Sequence, residues 1–249
     1  MRAILTYHAI DAAPSPISID EATFRRHVAW LGSGRVRVRS LADLLAEPVD
    51  VDAVALTFDD GFASFSELAW PILRDHGLPA TVFVVTDHVG GVNAWHGQAS
   101  NRIPTRSLMD WNTLSRLTEA GVSLGSHTRR HRDLRRVTAP ELEDELAGSA
   151  ERIVRETGQR PSSCAYPYGL FDPTVAMASA RVYLHACTTV LRPLKRGEDP
   201  HRLPRLDAWY FRAPGRLEQW GSLGFRRYVR IRATARAVRN VMTDLGRKM

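Results

Sequence analysis

The chain has 249 residues, of which 44% are hydrophobic and 24% charged, and its net charge is +7. This composition is typical of a globular protein, and no apolar run approaches the ~20 residues that a membrane-spanning helix needs. The first ten residues, MRAILTYHAI, lack the long apolar core and the cleavage site of a signal peptide. We therefore expect a protein that starts at Met1 and stays in the cytoplasm, where its two cysteines are buried thiols.

Short apolar runs alternate along the chain with segments of helical periodicity, which favours an α/β domain with mostly parallel strands. Most of these runs are continuous rather than alternating, as expected where helices cover both faces of a sheet. The strands are predicted, in chain order, at AILTYH, AVALTF, ATVFVV, VSLGS, SCAYP and LHACTT.

Caps and stop signals mark the helices between these strands. A capping box, Ser18-x-x-Glu21, opens the first helix, and a second box, Thr138-x-x-Glu141, opens a later one. Pro71 lies inside the segment FSELAWPILRDHG, which predicts a kink or a late helix start there. Further helices are predicted over SLMDWNTLSRLTEAG and PTVAMASARVY.

Residues 1–210 are interpreted as one domain and residues 211–249 as a basic, helical tail. The last 25 residues hold seven arginines and one lysine against the single acid Asp244. Two interpretations stay open: a solvated surface helix, or a patch for an anionic partner such as a membrane face, a phosphorylated lipid carrier or an acidic glycan. Because no nucleic-acid-binding fold motif accompanies the patch, nucleic acid is not the expected partner.

Two neighbouring aspartates, Asp59 and Asp60, end an apolar run in VALTFDDGFASF. Consecutive strand residues face opposite sides, so both enter one site only where the strand ends, and Gly61 permits a turn there. The carboxyl ends of parallel strands are where α/β folds bind their ligands. Because adjacent carboxylates repel each other, the pair requires a nearby cation unless it belongs to a solvated turn.

A histidine pair follows another strand, in GSHTRRHRDL. His127 and His131 are spaced i, i+4, so one helical turn places both imidazoles on the same side. Alone, such a pair is typical of surface residues. Together with the aspartate pair it indicates a metal site, because two imidazoles and a carboxylate are ligands that zinc prefers.

A third stretch, CAYPYGLFD, follows a further strand and sets Pro167 and Gly169 around Tyr168. It is either a tight turn alone or a turn that presents a backbone N–H to a developing oxyanion.

The segment from Thr86 to Arg106 has no clear periodicity and predicts a long loop over one end of the domain. Trp95 and His96 within it either line a substrate subsite or pack down onto the domain. Trp209 and Tyr210 follow the last predicted strand, and the sequence does not decide whether they reach the same site.

The three motifs, in this order, resemble the NodB-type polysaccharide deacetylases, carbohydrate esterase family four. The similarity runs from about Ile4 to Tyr210, and LTYHAI and RLPRLD are similar to the branch that includes the poly-N-acetylglucosamine deacetylases. The resemblance implies an α/β fold, a distorted (β/α) barrel, and hydrolysis of an N-acetyl group from an amino sugar.

The resemblance also implies a role for each motif residue. Asp60, His127 and His131 bind a divalent metal, with zinc as the expected ion. Asp59 is the general base that activates water, and the N–H of Tyr168 donates to the oxyanion.

One departure from the family pattern concerns the arginine that tethers the catalytic aspartate. The family places it two residues before the proline of the third motif, where this chain has Ala165. Arg205, in RLPRLD, is the candidate replacement from another strand end. The alternative is that Arg205 only pairs with Asp207 or Glu198.

A second departure concerns the general acid, because the family's late L-x-H motif is not evident. His8 ends the first predicted strand, beside the strand that ends at Asp59, and is the candidate acid. His185 lies in the middle of a strand and is typical of a core histidine.

The predicted function is a metal-dependent N-deacetylase acting on an N-acetylated sugar in a glycan, a lipid-linked intermediate or a small glycoside. The basic tail suits peripheral contact with an anionic membrane, or a lipid-linked substrate at the membrane's inner face. Two alternatives stay open: a carbohydrate-binding protein that kept the fold and lost turnover, and an O-acetyl esterase with the same water chemistry.

Overall fold

The computed structural model of the protein describes residues 1–13, 15–48, 50–95 and 103–246. His96, Arg247 and Lys248, which the sequence singles out, lie outside these ranges. Among the described residues, every helix is too short or too polar to span a membrane.

Parallel strands form one curled sheet at the centre of the described chain. Its eight strands run in the order β10–β1–β5–β6–β7–β8–β9, with β4 beside β5, and every pairing is parallel. A separate parallel pair, β2–β3, lies beyond the end of β1. The strands are β1 Arg2–Tyr7, β2 Ala9–Ile10, β3 Ser18–Ile19, β4 Arg37–Arg39, β5 Ala53–Phe58, β6 Thr81–Val84, β7 Ser123–Ser126, β8 Ser163–Ala165, β9 His185–Cys187 and β10 Leu206–Asp207.

All six strands predicted from the sequence are present. The four that the sequence did not reveal, β2, β3, β4 and β10, are only two or three residues long. The predicted strands β8 and β9 are equally short, but each lies in a longer apolar run of the sequence. The four missed strands lie in no such run and exist because a neighbouring strand supplies the hydrogen bonds.

One short segment brings the two edges of the curled sheet together. Leu203 exchanges backbone hydrogen bonds with Ala186 and Thr188, on either side of its bridge to Cys187. Three residues later Leu206 pairs with Leu5 of β1. The segment therefore joins the last strand to the first, and the sheet is the predicted distorted (β/α) barrel.

Helices cover the outside of this barrel. They are α1 Glu21–Leu31, α2 Leu41–Ala46, α3 Trp70–Asp75, α4 Trp111–Glu119, α5 Ala139–Glu143, α6 Ser149–Thr157, α7 Pro173–Ala180 and α8 Leu223–Gly246.

The start of α1 corrects one sequence prediction. Ser18 lies in β3, and the helix is capped by Asp20, whose carboxylate accepts from the Thr23 amide at 2.8 Å. Because Ser18 is paired with β2 in the sheet, Asp20, which directly precedes the helix, accepts from the first free helix amides instead. The capping box between Thr138 and Glu141 is confirmed.

The predicted disturbance at Pro71 is also present. A π-helical turn, Phe65–Ala69, precedes α3, and the Trp70 amide donates to the Phe65 carbonyl. Proline has no N–H to donate to the helical hydrogen bonds, and the π-helical turn just before it accommodates the missing bond.

The first part of the predicted basic tail belongs to the hydrophobic core. Leu217, Phe225 and Val229 are buried in the same cluster as the side chains of β1 and β5. Each buried side chain of this size contributes roughly 1.5–3 kcal/mol of burial. The start of α8 is therefore held against the barrel by apolar packing.

Candidate active site

A pocket of about 510 Å³ opens at the carboxyl ends of the barrel strands. Parallel strands end at the same edge, so residues distant in sequence meet there. All seven of the predicted site residues line this pocket: His8, Asp59, Asp60, His127, His131, Tyr168 and Arg205.

A sharp turn brings the aspartate pair into the pocket together. Asp59 follows β5 directly, whereas Asp60 adopts a left-handed backbone conformation with φ of 74°, and Gly61 follows with φ of 77°. A non-glycine residue in this region costs conformational energy and is held there by its surroundings. The strand-end turn predicted from the sequence is therefore present, with both carboxylates buried.

Arg205 and Asp59 form a buried, two-pronged ion pair. The two guanidinium nitrogens Nη1 and Nη2 each donate to a different carboxylate oxygen of Asp59 at 2.7 Å. The Nε–H of Arg205 donates to the Thr188 carbonyl at 2.9 Å, which fixes the plane of the guanidinium. Burial is the largest single influence and raises the pKa of Asp59, but the charge and hydrogen bonds of Arg205, together with nearby His127 and His8, outweigh it and hold this pKa well below its ordinary value.

This contact decides between the two sequence interpretations of Arg205. The acids that the alternative would have paired with it have other partners: Glu198 binds Arg192, and Asp207 lies 3.7 Å from Arg236. Arg205 therefore takes the tethering position that Ala165 leaves vacant, because the segment that closes the barrel delivers it to the end of β5.

Three buried side chains form a set of metal-ligand type. One potential ligand atom each from Asp60, His127 and His131 lies within 4.8 Å of the other two. The Nε2 atoms of His127 and His131 are 3.5 Å and 3.6 Å from the same Asp60 oxygen. The Nδ1–H of His127 donates to the Ala165 carbonyl at 2.7 Å, which leaves Nε2 with a lone pair for a metal.

The electrostatics of the set also fit a cation. Burial raises the pKa of Asp60 above its ordinary value, and the charge of Asp59 acts in the same direction. Burial lowers the pKa of His131 well below its ordinary value, and nearby His127 adds to this. A bound dication would favour both the ionised carboxylate and the neutral imidazoles. The residues therefore fit a divalent metal.

The histidine loop corrects the local structure that the sequence predicted. Residues 127–131 do not form a helical turn; Thr128 and His131 have left-handed φ values of 65° and 57°. The hydroxyl of Thr128 accepts from the His131 amide at 3.1 Å. The two imidazoles still lie next to each other, in an edge-to-face arrangement with ring centres 4.7 Å apart, although no helical turn joins them.

A buried carboxylate that the sequence did not reveal supports this loop. Glu145 is 0% exposed, and its Oε2 accepts from the amides of Arg129 and Arg130 at 2.9 Å each. It projects from the π-helical turn between α5 and α6. An acid inside a helix with several exposed acids has no distinguishing sequence pattern, so only the tertiary contact identifies it.

The third motif forms a short 3₁₀ turn, Pro167–Gly169, in which Tyr168 has a left-handed φ of 58°. A Cβ on Gly169 would lie 2.1 Å from the Thr189 hydroxyl, so only glycine fits. The Tyr168 ring meets that of His131 edge-on, with centres 4.6 Å apart. All four described non-glycine residues with left-handed φ, Asp60, Thr128, His131 and Tyr168, thus belong to this one site.

The two histidines considered for the general acid differ in position. His8 lies at the pocket, 23% exposed, with its Nε2 3.9 Å from an Asp59 oxygen. His185 is not among the described lining residues, and partial burial lowers its pKa. The geometry keeps His8 as the candidate acid.

Aromatic side chains complete the pocket wall. Trp95 is 7% exposed and its ring centre is 4.5 Å from that of His131, so it both packs down and lines the site. Trp209 and Tyr210 also reach the pocket, and Arg236 extends from α8 to its rim.

The fold and these motifs place the chain among known proteins. The chain belongs to the polysaccharide deacetylase family, whose model matches residues 46–186, more than half of the chain.

Curated relatives of the chain are named for deacetylation of N-acetylglucosamine polymers. The poly-beta-1,6-N-acetyl-D-glucosamine N-deacetylase of Staphylococcus epidermidis is 21% identical over 203 residues, which cover 76% of this chain and 67% of that protein. The peptidoglycan-N-acetylglucosamine deacetylase of Bacillus cereus is 27% identical over 133 residues, 53% of this chain and 42% of that protein. The aligned regions therefore span between 42% and 67% of these relatives.

Solved structures share the fold. The deacetylase PplD of Streptococcus pyogenes, in complex with acetate, has a TM-score of 0.70 at 23% identity and covers 82% of this chain and 91% of its own. IcaB from Ammonifex degensii has a TM-score of 0.68 at 21% identity, covering 84% and 93%. At these identities the likeness supports the distorted barrel.

Proposed function

We propose that the chain is a metal-dependent N-deacetylase that removes the acetyl group from an N-acetylated amino sugar. One observation carries the proposal: the carboxylate of Asp59, tethered by Arg205, lies in the same buried pocket as a separate Asp-His-His set. A protein that only bound sugar would have no need to maintain an ionised, buried carboxylate beside a second one, at the cost of burying both.

We expect Asp60, His127 and His131 to hold zinc, with positions left for water and substrate. When bound, the ion lowers the pKa of water towards ~7 and polarises a carbonyl.

Side chains and backbone groups of the chain are proposed to move the protons and to bind the acetyl oxygen. Asp59 stays ionised at neutral pH because Arg205 lowers its pKa, and each of its oxygens keeps a lone pair beyond the Arg205 bond. It therefore can accept a proton from the attacking water. The N–H of Tyr168 is the proposed donor to the acetyl oxygen as the carbonyl carbon becomes tetrahedral.

The reaction balances with water as the second substrate. A C–O bond forms to the acetyl carbon, the C–N bond breaks, and the products are acetate and a free amine. The leaving nitrogen requires a proton, and His8 at the edge of the pocket is the proposed donor.

The wall of the pocket supports a sugar as substrate. Trp95, Trp209 and Tyr210 present aromatic surface around the acidic centre, which suits the apolar faces of a pyranose ring. The names of the relatives favour an N-acetylglucosamine unit, and on this basis we propose an N-acetylhexosamine as the group that enters the pocket.

Acetate release from a panel of N-acetylated sugars and glycosides tests the proposal. We expect release by the native protein, loss after treatment with a chelator, and recovery on addition of zinc. A matched O-acetylated sugar in the panel separates amide from ester cleavage. Release that survives exhaustive chelation would contradict the metal dependence, and cleavage of the ester alone would make the protein an O-acetyl esterase.

A further inference from the structure

A second cavity, of about 900 Å³, lies between the segment 189–195 and helix α8. It shares Tyr168, Thr189 and Arg236 with the wall of the catalytic pocket, so the two spaces adjoin. The volume is in the range of about 300–1,000 Å³ that small-ligand sites occupy. We call this cavity the α8 groove.

The floor of the α8 groove is apolar. Leu191 and Val229 are each 3% exposed, and they are flanked by Leu194 and Ala233. This strip suits a hydrocarbon chain better than a second sugar ring, because it offers little with which to hydrogen-bond hydroxyl groups.

The rim of the α8 groove is positive. Lys195, Arg226 and Arg230 are exposed, and no carboxylate lies within ion-pair distance of them in the described part of the chain. The other two lining arginines have acidic partners, since Arg192 pairs with Glu198 and Arg236 approaches Asp207. Unpaired basic groups above an apolar floor are complementary to an anion attached to a hydrocarbon.

We propose that the α8 groove binds the lipid-phosphate portion of a lipid-linked sugar substrate. The sugar's N-acetyl group enters the catalytic pocket, the phosphate meets the basic rim, and the hydrocarbon lies along the floor towards Val229. This inference rests on the proposed function and specifies its substrate class. It also selects, from the anionic partners that the basic tail suggested, the phosphorylated lipid carrier.

Binding of farnesyl phosphate to the full-length protein, below its micelle concentration, tests the groove without any turnover. We expect farnesyl phosphate to bind more tightly than either farnesol or inorganic phosphate in isothermal titration calorimetry. The double variant Lys195→Glu, Arg230→Glu should weaken its binding about tenfold or more, the loss expected from charged hydrogen bonds. Arg227→Glu, an exposed arginine of α8 that does not line the groove, is the matched control and should bind as the native protein does.

A second variant addresses the floor. Ala233→Trp fills the apolar strip and should weaken binding of farnesyl phosphate while leaving that of inorganic phosphate unchanged. Equal binding of farnesol and farnesyl phosphate, or an equal loss in Arg227→Glu, would overturn the proposal. Binding only to anionic vesicles, and not to soluble farnesyl phosphate, would also overturn it and make the helix a membrane-facing surface.

Kinetics separate a failure of the groove from a failure of the proposed function. We expect a lipid-phosphate-linked N-acetylhexosamine to have a KM about tenfold or more below that of the same sugar phosphate without lipid, with kcat similar. Acetate release from both substrates with the same KM would refute the groove alone. Farnesyl phosphate binding that depends on Lys195 and Arg230, with no acetate released from any sugar, would support the groove and refute the deacetylase.

Discussion

Charged side chains at the strand ends of the barrel differ in burial and in pairing from those along α8. At the strand ends, Asp59 and Arg205 are each 3% exposed and bind each other through two hydrogen bonds. Along the groove face of α8, Arg226 and Arg230 are exposed and have no acidic partner among the described residues. A buried charge without a partner is strongly unfavourable, whereas water satisfies an exposed one.

This difference in burial and pairing indicates whether the charges of each region are compensated within the protein or by a ligand. The strand-end charges are compensated within the chain and by the proposed metal, so their geometry is defined before substrate arrives. The charges of α8 are left for solvent or for an anionic ligand, and they cost the fold little. Substitutions at the strand ends should therefore have large effects on the protein alone, and those on α8 should act on ligand binding.

The largest effect is expected for Asp59→Asn, which keeps the shape of the side chain and removes its charge. Loss of a general base lowers kcat by about 10²–10⁴-fold. Zinc content, measured by mass spectrometry of the purified protein, should be retained in Asp59→Asn and lost in Asp60→Asn. Activity within tenfold of the native protein in Asp59→Asn would show that another group is the base.

The next effect concerns the stability of the buried ion pair. Arg205→Met leaves Asp59 buried without a partner, and we expect a loss of about 3–5 kcal/mol in the free energy of unfolding. The matched control is Arg192→Met, which breaks an equally two-pronged pair with Glu198 at a partly exposed site, 30% exposed on the arginine. It should cost about 1 kcal/mol or less. Urea denaturation measures both free energies of unfolding. Equal losses in the two variants would contradict the expected difference between a buried and a partly exposed ion pair.

Arg205→Met should also reverse the pH dependence of the free energy of unfolding. In the native protein Asp59 has a lowered pKa, so its stabilisation is complete above the unfolded value of about 4 and is lost as the pH falls below it. In Arg205→Met, burial is the largest influence left on Asp59 and raises this pKa, so stability should fall as the pH rises from about 4 towards neutrality. Unfolding curves between pH 3 and pH 7, a range of about four units, measure the slope. Parallel slopes would disprove the assigned cause.

A smaller effect is expected at the support of the histidine loop. Glu145→Gln removes a charge that two loop amides bind, and loosening of the shell around metal ligands lowers metal affinity by about 10–100-fold. Competition with a chromophoric chelator measures the zinc affinity. Glu143→Gln, an exposed acid two residues away, is the control and should leave the affinity unchanged. Equal affinities in all three proteins would exclude this role for Glu145.

The smallest effect on the protein alone is expected on α8. Arg230→Glu should leave the melting temperature and the activity on a lipid-free sugar unchanged, because the exposed Arg230 side chain has no ion pair to lose among the described residues. Differential scanning calorimetry measures the first quantity, and acetate release the second. A large fall in melting temperature would mean that α8, like the strand ends, relies on its charges for stability.

The sequence revealed the elements that repeat a strong local pattern. The six longer apolar runs, the capping box at Thr138 and the disturbance at Pro71 depend on nearest neighbours along the chain, so they were predictable. The strands β2, β3, β4 and β10 were not, since they lie outside these runs and a partner strand creates them. The cytoplasmic location, the boundary near residue 210 and the catalytic roles of the site residues stay predictions.

For the site, local patterns in the sequence revealed which residue types come together: a carboxylate pair at a strand end, two histidines four residues apart, and a proline–glycine turn. How these residues are arranged depends on contacts between distant segments. Arg205 reaches Asp59 because a segment 146 residues further along the chain closes the barrel there. Glu145 supports His131 because a helix packs behind its loop. Local sequence specifies backbone preferences over a few residues, whereas the partner of a buried charge is set by which distant segments share the same end of the barrel.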